Sequence, residues 1–136
     1  MTRPRPLSLA RIPGAPPAGS LLCRLGDIAP GKTLTFTFRD GDRLTEIFVH
    51  RTGGGAVAYV NRCPHAGTPL DWTPGRFLTP EGDAFLCGTH GARFMIEDGY
   101  CFLGPCAGRY LQPVELEVRG DGVHVPEAAP PTSRKE

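Results

Sequence analysis

In Thr33-Leu34-Thr35-Phe36-Thr37-Phe38 apolar residues alternate with threonines without a break. A period of two predicts a half-buried β-strand. Asp40-Gly41-Asp42 turns the chain into a second strand over residues 44–49, and a third follows at 56–60 after Gly53-Gly54-Gly55. Short β segments are expected at 84–86, 94–96 and 100–103, the last two joined at Glu97-Asp98-Gly99. Alternation returns at 114–118, and Arg119-Gly120-Asp121-Gly122 hands over to Val123-His124-Val125 as a terminal hairpin. No stretch keeps a helical period, and no internal repeat is present. The pattern predicts an all-β, antiparallel domain.

Composition changes that picture only at the ends. The chain of 136 residues holds 18 Gly and 15 Pro, about a quarter of the total and roughly twice the usual share. Such an excess can mean disorder, but 40% hydrophobic residues and balanced charge point to a compact, turn-rich domain. Residues 1–20 read as a Pro-rich, mobile tail and 127–136 as a second tail, which leaves one domain over 21–126.

Net charge is +1, so neither nucleic-acid binding nor a strongly acidic docking surface is forced. The distribution is uneven: residues 1–20 hold three Arg and no acid, whereas 21–126 hold ten basic and twelve acidic residues. No apolar run approaches the 20 or so residues of a membrane span. The basic N-terminus is followed by Arg11, Pro13, Pro16 and Pro17 rather than by an apolar signal segment. A soluble, cytoplasmic protein is expected.

The candidate chemistry lies in two short boxes, Cys63-Pro64-His65 and Cys87-Gly88-Thr89-His90, separated by 21 residues. Each follows a strand on a Gly- and Pro-rich turn, so two loops can bring two thiolates and two imidazoles to one point. Gly67, Gly88 and Gly91 permit tight turns and close approach to an inorganic core. Two Cys and two His are also a common tetrahedral zinc set, which leaves a structural zinc-binding module as an alternative. Zinc fingers, however, usually pair Cys with Cys and His with His. A Cys-His pair written twice suits a two-iron core in which one iron takes both Cys and the other both His.

Cys63-Pro-His65-Ala-Gly-Thr and Cys87-Gly-Thr-His90-Gly-Ala resemble the two ligand boxes of Rieske-type [2Fe–2S] proteins, and Leu103-Gly104-Pro105 resembles that family's proline loop. The resemblance covers residues 55–110 most closely. It implies three antiparallel sheets with a small two-loop cluster-binding part, about residues 58–108. It also implies one [2Fe–2S] cluster, with Cys63 and Cys87 on the inner iron and His65 and His90 on the outer. Imidazoles carry less negative charge than thiolates, so the potential rises to roughly −150 to +300 mV.

High-potential members of that family carry an extra Cys pair in the ligand loops and Ser and Tyr after the second His. This chain has Gly67 or Thr68, Thr89, Ala92 and Phe94 there. Missing donors to sulfur lower the potential, so a value at the low end of the range is implied. Oxygenase large subunits of the family continue into a catalytic iron domain for which 136 residues leave no room. The implied function is therefore a ferredoxin, not itself an enzyme, that passes one electron from a flavin reductase to an oxygenase or other acceptor. A cluster-bearing redox or nitric-oxide sensor, with the Arg-rich tail as its partner element, is a further alternative.

The remaining candidates carry bland and sharp readings together. Cys101 and Cys106 flank the Gly-Pro loop as packed thiols or as a disulfide or redox pair, while Cys23 is a core residue. His50 and His124 are surface or core histidines rather than ligands. Trp72 packs, or shields the first box. Arg62 and Arg93 are solvated, or form a rim that steers an acidic partner. The Pro- and Gly-rich insertion 73–83 is expected to form an exposed hairpin.

Overall fold

The computed structural model describes residues 3–64, 67–71, 73–88 and 91–127. Among the described residues there are ten strands: β1 Leu21–Arg24, β2 Thr33–Asp40, β3 Arg43–Arg51, β4 Ala56–Val60, β5 Phe85–Leu86, β6 Arg93–Phe94, β7 Cys101–Leu103, β8 Pro113–Val114, β9 Glu117–Arg119 and β10 Gly122–His124. They form three sheets, ordered β2-β3-β4-β8, β1-β10-β9 and β5-β6-β7, and every strand pair in them is antiparallel. Two 3₁₀ turns, Leu9–Arg11 and Leu25–Asp27, are the only helical elements among the described residues. Among those residues no helix is long and apolar enough to cross a membrane.

Strand β3 divides the interior. Its residues 47–50 are all buried, and because successive side chains point to opposite faces they serve two cores. Ile47 and Val49 pack with Cys23, Ile28, Phe38, Ala58, Val123 and Val125. Phe48 faces the other way, into a cluster with Tyr59, Phe77, Phe85, Phe94 and four cysteines, Cys63, Cys87, Cys101 and Cys106. Strand β4 repeats the division, with Ala58 on the first side and Tyr59 on the second. The first core stabilises the domain; the second is the floor of the candidate site.

That floor is aromatic. Phe48 stacks on Phe77 at 4.6 Å and meets Phe85 edge-on at 5.0 Å, while Tyr59 meets Phe85 at 5.6 Å. Tyr59 is fully buried and donates its hydroxyl to the Ile96 carbonyl at 2.7 Å. Burial pushes its phenol up to about 12, so it remains a neutral donor.

Three expectations need correction. Residues 7–20 are not a loose tail: Leu7 bridges Val114, donates to the Pro113 carbonyl at 2.8 Å and accepts from Glu115 at 2.9 Å. Leu9 and Ile12 are buried in the first core. Apolar anchors outweigh the Pro content there; the tail at 127–136 lies, beyond residue 127, outside the described residues. The single strand expected over 114–118 is split, since Val114 pairs with Ala58 in one sheet and Val118 with Val123 in another. The insertion 73–83 does form a hairpin, closed by Leu78 against Phe85, but Phe77 is buried rather than exposed.

Candidate metal centre

Cys63 follows β4 and Cys87 follows β5, each at the start of a tight loop, and both are fully buried. The loops share one hydrogen-bond pattern. In the first, Cys63 N–H donates to Thr68 O at 2.7 Å and Gly67 N–H to Cys63 O at 2.8 Å. In the second, Cys87 N–H donates to Ala92 O at 2.9 Å and Gly91 N–H to Cys87 O at 2.9 Å. Gly67 and Gly91 both take positive φ, +71° and +74°, a conformation that a side chain disfavours. Gly88 N–H donates to Leu70 O at 3.0 Å and ties the second loop to the end of the first.

Asn61 fixes the first loop to the sheet. Its amide nitrogen donates to Glu46 Oε1 at 2.9 Å and Asp71 Oδ1 at 2.8 Å, and its Oδ1 accepts from Leu70 N–H at 2.8 Å. Glu46 lies on β3, so one buried amide connects the central sheet, both ends of the first loop and, through Leu70, the second loop. Arg109 adds a tie from outside, donating from Nη1 to the Pro64 carbonyl at 3.2 Å. Neither Asn61 nor Arg109 is evident in the sequence, because each acts on main-chain atoms distant along the chain.

The Gly-Pro loop covers the second box. Gly104 has φ +104°, and a Cβ there would stand 2.7 Å from Ala92 Cα, so the two main chains are in contact. Residues 102–105 are exposed on its outer side. At its base Cys101 Sγ and Cys106 Sγ lie 3.2 Å apart, without a disulfide bond. Burial pushes the Cys106 thiol well up, and the Cys101 and Cys63 sulfurs add to that.

Of the predicted ligands, the structure brings Cys63 and Cys87 into one buried cluster; His65 and His90 lie outside the described residues, as do Trp72 and Thr89. Two buried thiols at equivalent points of matched loops fit a diiron core that takes both thiolates on one iron. His50 is a core histidine: it is 3% exposed, its Nδ1 lies 3.0 Å from Thr33 Oγ1, and its ring meets Phe85 edge-on at 5.3 Å. Arg62 is exposed and its guanidinium passes Gly67, whereas Arg93 is half-buried on β6.

Comparison with known proteins agrees with this geometry. The family model of the Rieske [2Fe–2S] domain matches residues 20–126. The chain belongs to that family, whose members hold one [2Fe–2S] cluster. Among solved structures, it is similar to the ferredoxin of carbazole 1,9a-dioxygenase from Nocardioides aromaticivorans IC177, with TM-score 0.61 and 22% identity over 82% of this chain and 99% of that one. A chain from the complex of reduced oxygenase and oxidized ferredoxin in carbazole 1,9a-dioxygenase matches with TM-score 0.59 and 25% identity, over 79% of this chain and 91% of that one. The terminal oxygenase from Nocardioides aromaticivorans IC177 matches with TM-score 0.62 and 20% identity, over 82% of this chain but 33% of that one. A search of curated proteins gives no match.

Proposed function

We propose that the chain is a one-electron carrier that takes an electron from a flavin-dependent reductase and passes it to an oxygenase or another acceptor. The observation that carries this reading is the pair of matched loops with Cys63 and Cys87 buried at their equivalent points. The match to 99% of a ferredoxin supports it. When bound, the [2Fe–2S] cluster supplies a centre that accepts and releases one electron.

On this reading Cys63 and Cys87 hold the inner iron, and His65 and His90 hold the outer iron. The functional unit is residues 21–126, with the cluster-binding part at about 58–108. The chain performs no chemistry on a substrate, binds no nucleic acid and works in the cytoplasm. Arg62 and Arg109 flank the first box and offer positive charge to an acidic partner. The exposed side chains of Phe102 and Leu103 give that partner an apolar contact beside the second box.

The test is a redox titration of the full-length protein followed by electron paramagnetic resonance. The reduced protein should give a lower average g than an all-Cys cluster. Its midpoint should lie at the low end of the Rieske range, because buried Ala92 and Phe94 bring no hydroxyl to the sulfurs. A colourless protein with one zinc would overturn the carrier reading, and a clearly positive midpoint at pH 7 would overturn its low-potential part.

A further inference from the structure

Cys101 and Cys106 take no part in the four-ligand set, yet their sulfurs are 3.2 Å apart and both residues are buried, at 0% and 2% exposure. The main chain holds them together independently of the sulfurs. Cys101 N–H donates to Arg109 O at 2.8 Å, Gly108 N–H to Cys101 O at 2.9 Å, and Arg109 N–H to Cys106 O at 2.9 Å. A disulfide has an S–S bond of about 2.05 Å. The remaining gap is about 1.2 Å, within reach of a small rotation about each Cα–Cβ bond. The segment between the two cysteines is exposed throughout residues 102–105, so opening that loop alone admits a small reagent.

We propose that Cys101 and Cys106 form a redox-active dithiol that closes reversibly into a disulfide across the base of the Gly-Pro loop. The oxidant is a small-molecule disulfide of the glutathione class. One cysteine sulfur attacks it, breaking its S–S bond, forming a mixed disulfide and releasing one small thiol. The second cysteine sulfur then attacks the mixed disulfide, forming the Cys101–Cys106 bond and releasing the second small thiol. The protein pair loses two electrons and two protons, and the oxidant gains both. Because Gly104 lies against Ala92, the bridge pins the cover of the second ligand loop. This two-electron switch is separate from one-electron transfer and stands whether or not the chain acts as a carrier.

The test uses the full-length protein with its cluster, equilibrated with oxidised glutathione or with dithiothreitol, then quenched in acid, alkylated and digested with trypsin. Both cysteines fall in one peptide, residues 94–109, which has no internal Lys or Arg. After dithiothreitol that peptide should carry two alkyl groups. After oxidised glutathione it should carry none and be about 2 Da lighter than the dithiol, with iron content unchanged. Cys101→Ser and Cys106→Ser should each abolish the light peptide and leave the remaining cysteine alkylated or joined to glutathione. Two alkyl groups after oxidised glutathione, or a bridge to Cys23, Cys63 or Cys87, would overturn the proposal; the wild-type result decides even if a variant fails to fold.

Discussion

The loop that begins at Cys63 and the loop that begins at Cys87 have the same backbone and different neighbours. Each closes with a bond from its Cys N–H to a carbonyl five residues on and one from a positive-φ glycine back to the Cys carbonyl. Beyond that they diverge. The first is held from below by Asn61 and from outside by Arg109, through polar bonds to its main chain. The second rests on the Phe85 aromatic cluster and is covered by Gly104 through van der Waals contact. One loop is fixed by hydrogen bonds and bordered by charge; the other is fixed by packing. One loop backbone can thus be supported in two ways, and the two supports should fail differently.

Gly104→Ala attacks only the packed loop, and the largest effect is expected there. The new methyl would meet Ala92 Cα at 2.7 Å, and φ of +104° disfavours any side chain. Strain of about 1–3 kcal/mol and overpacking of about 1–3 kcal/mol together give a loss of roughly 3 kcal/mol. Chemical denaturation of the variant, with iron release followed in parallel, checks this; a loss below 1 kcal/mol would show that the cover does not seat on the second box.

Gly67→Ala and Gly91→Ala test what the loops have in common. Among the described residues a Cβ at Gly91 meets nothing within 4 Å, and one at Gly67 meets only the Arg62 side chain at an ordinary 3.6 Å. Both therefore carry the same cost, the left-handed conformation, at about 1–2 kcal/mol, offset by about 0.4–1 kcal/mol from the stiffer unfolded chain. Each variant should lose about 1 kcal/mol in the same denaturation experiment, and the two should agree within about 0.5 kcal/mol. A clear inequality would mean that the matching bonds do not reflect matching energetics.

These contrasts also show what could be read from the residues alone. The β class, the turn at Asp40-Gly41-Asp42 and the two boxes were legible because period and spacing are local signals. The routes by which the boxes are held were not. Asn61 works through carboxylates at 46 and 71, and Arg109 through a carbonyl 45 residues away. Leu9 and Ile12 were hidden among prolines, although their apolar side chains pack into the first core. Val114 and Val118 share one alternating run, but alternation records which face a residue occupies, not which sheet supplies its partner. His65 and His90 were read from the motif, and the spectroscopic test above reads their ligation.

The smallest expected effect concerns acid, and it separates the loops by their supports. His50 packs edge-on against Phe85, and Phe85 lies two residues before Cys87. Burial lowers the pKa of His50 from its ordinary 6.5, even though Asp83 and Glu97 line the cavity beside it along with Arg51. The folded state thus binds a proton less readily than the unfolded chain. The stability this contributes is full above the unfolded value of about 6.5 and is lost as pH falls from there through the lowered folded value. Charging His50 also removes an apolar neighbour from Phe85, so loosening should begin under the second loop. Hydrogen exchange corrected for intrinsic rate should rise between pH 7 and pH 5 at the amides of Leu86, Cys87 and Gly88. Those of Cys63 and Gly67 should rise less, and His50→Gln should remove the difference. Equal acid sensitivity in both loops, or a difference that persists in His50→Gln, would show that the aromatic support does not carry the response.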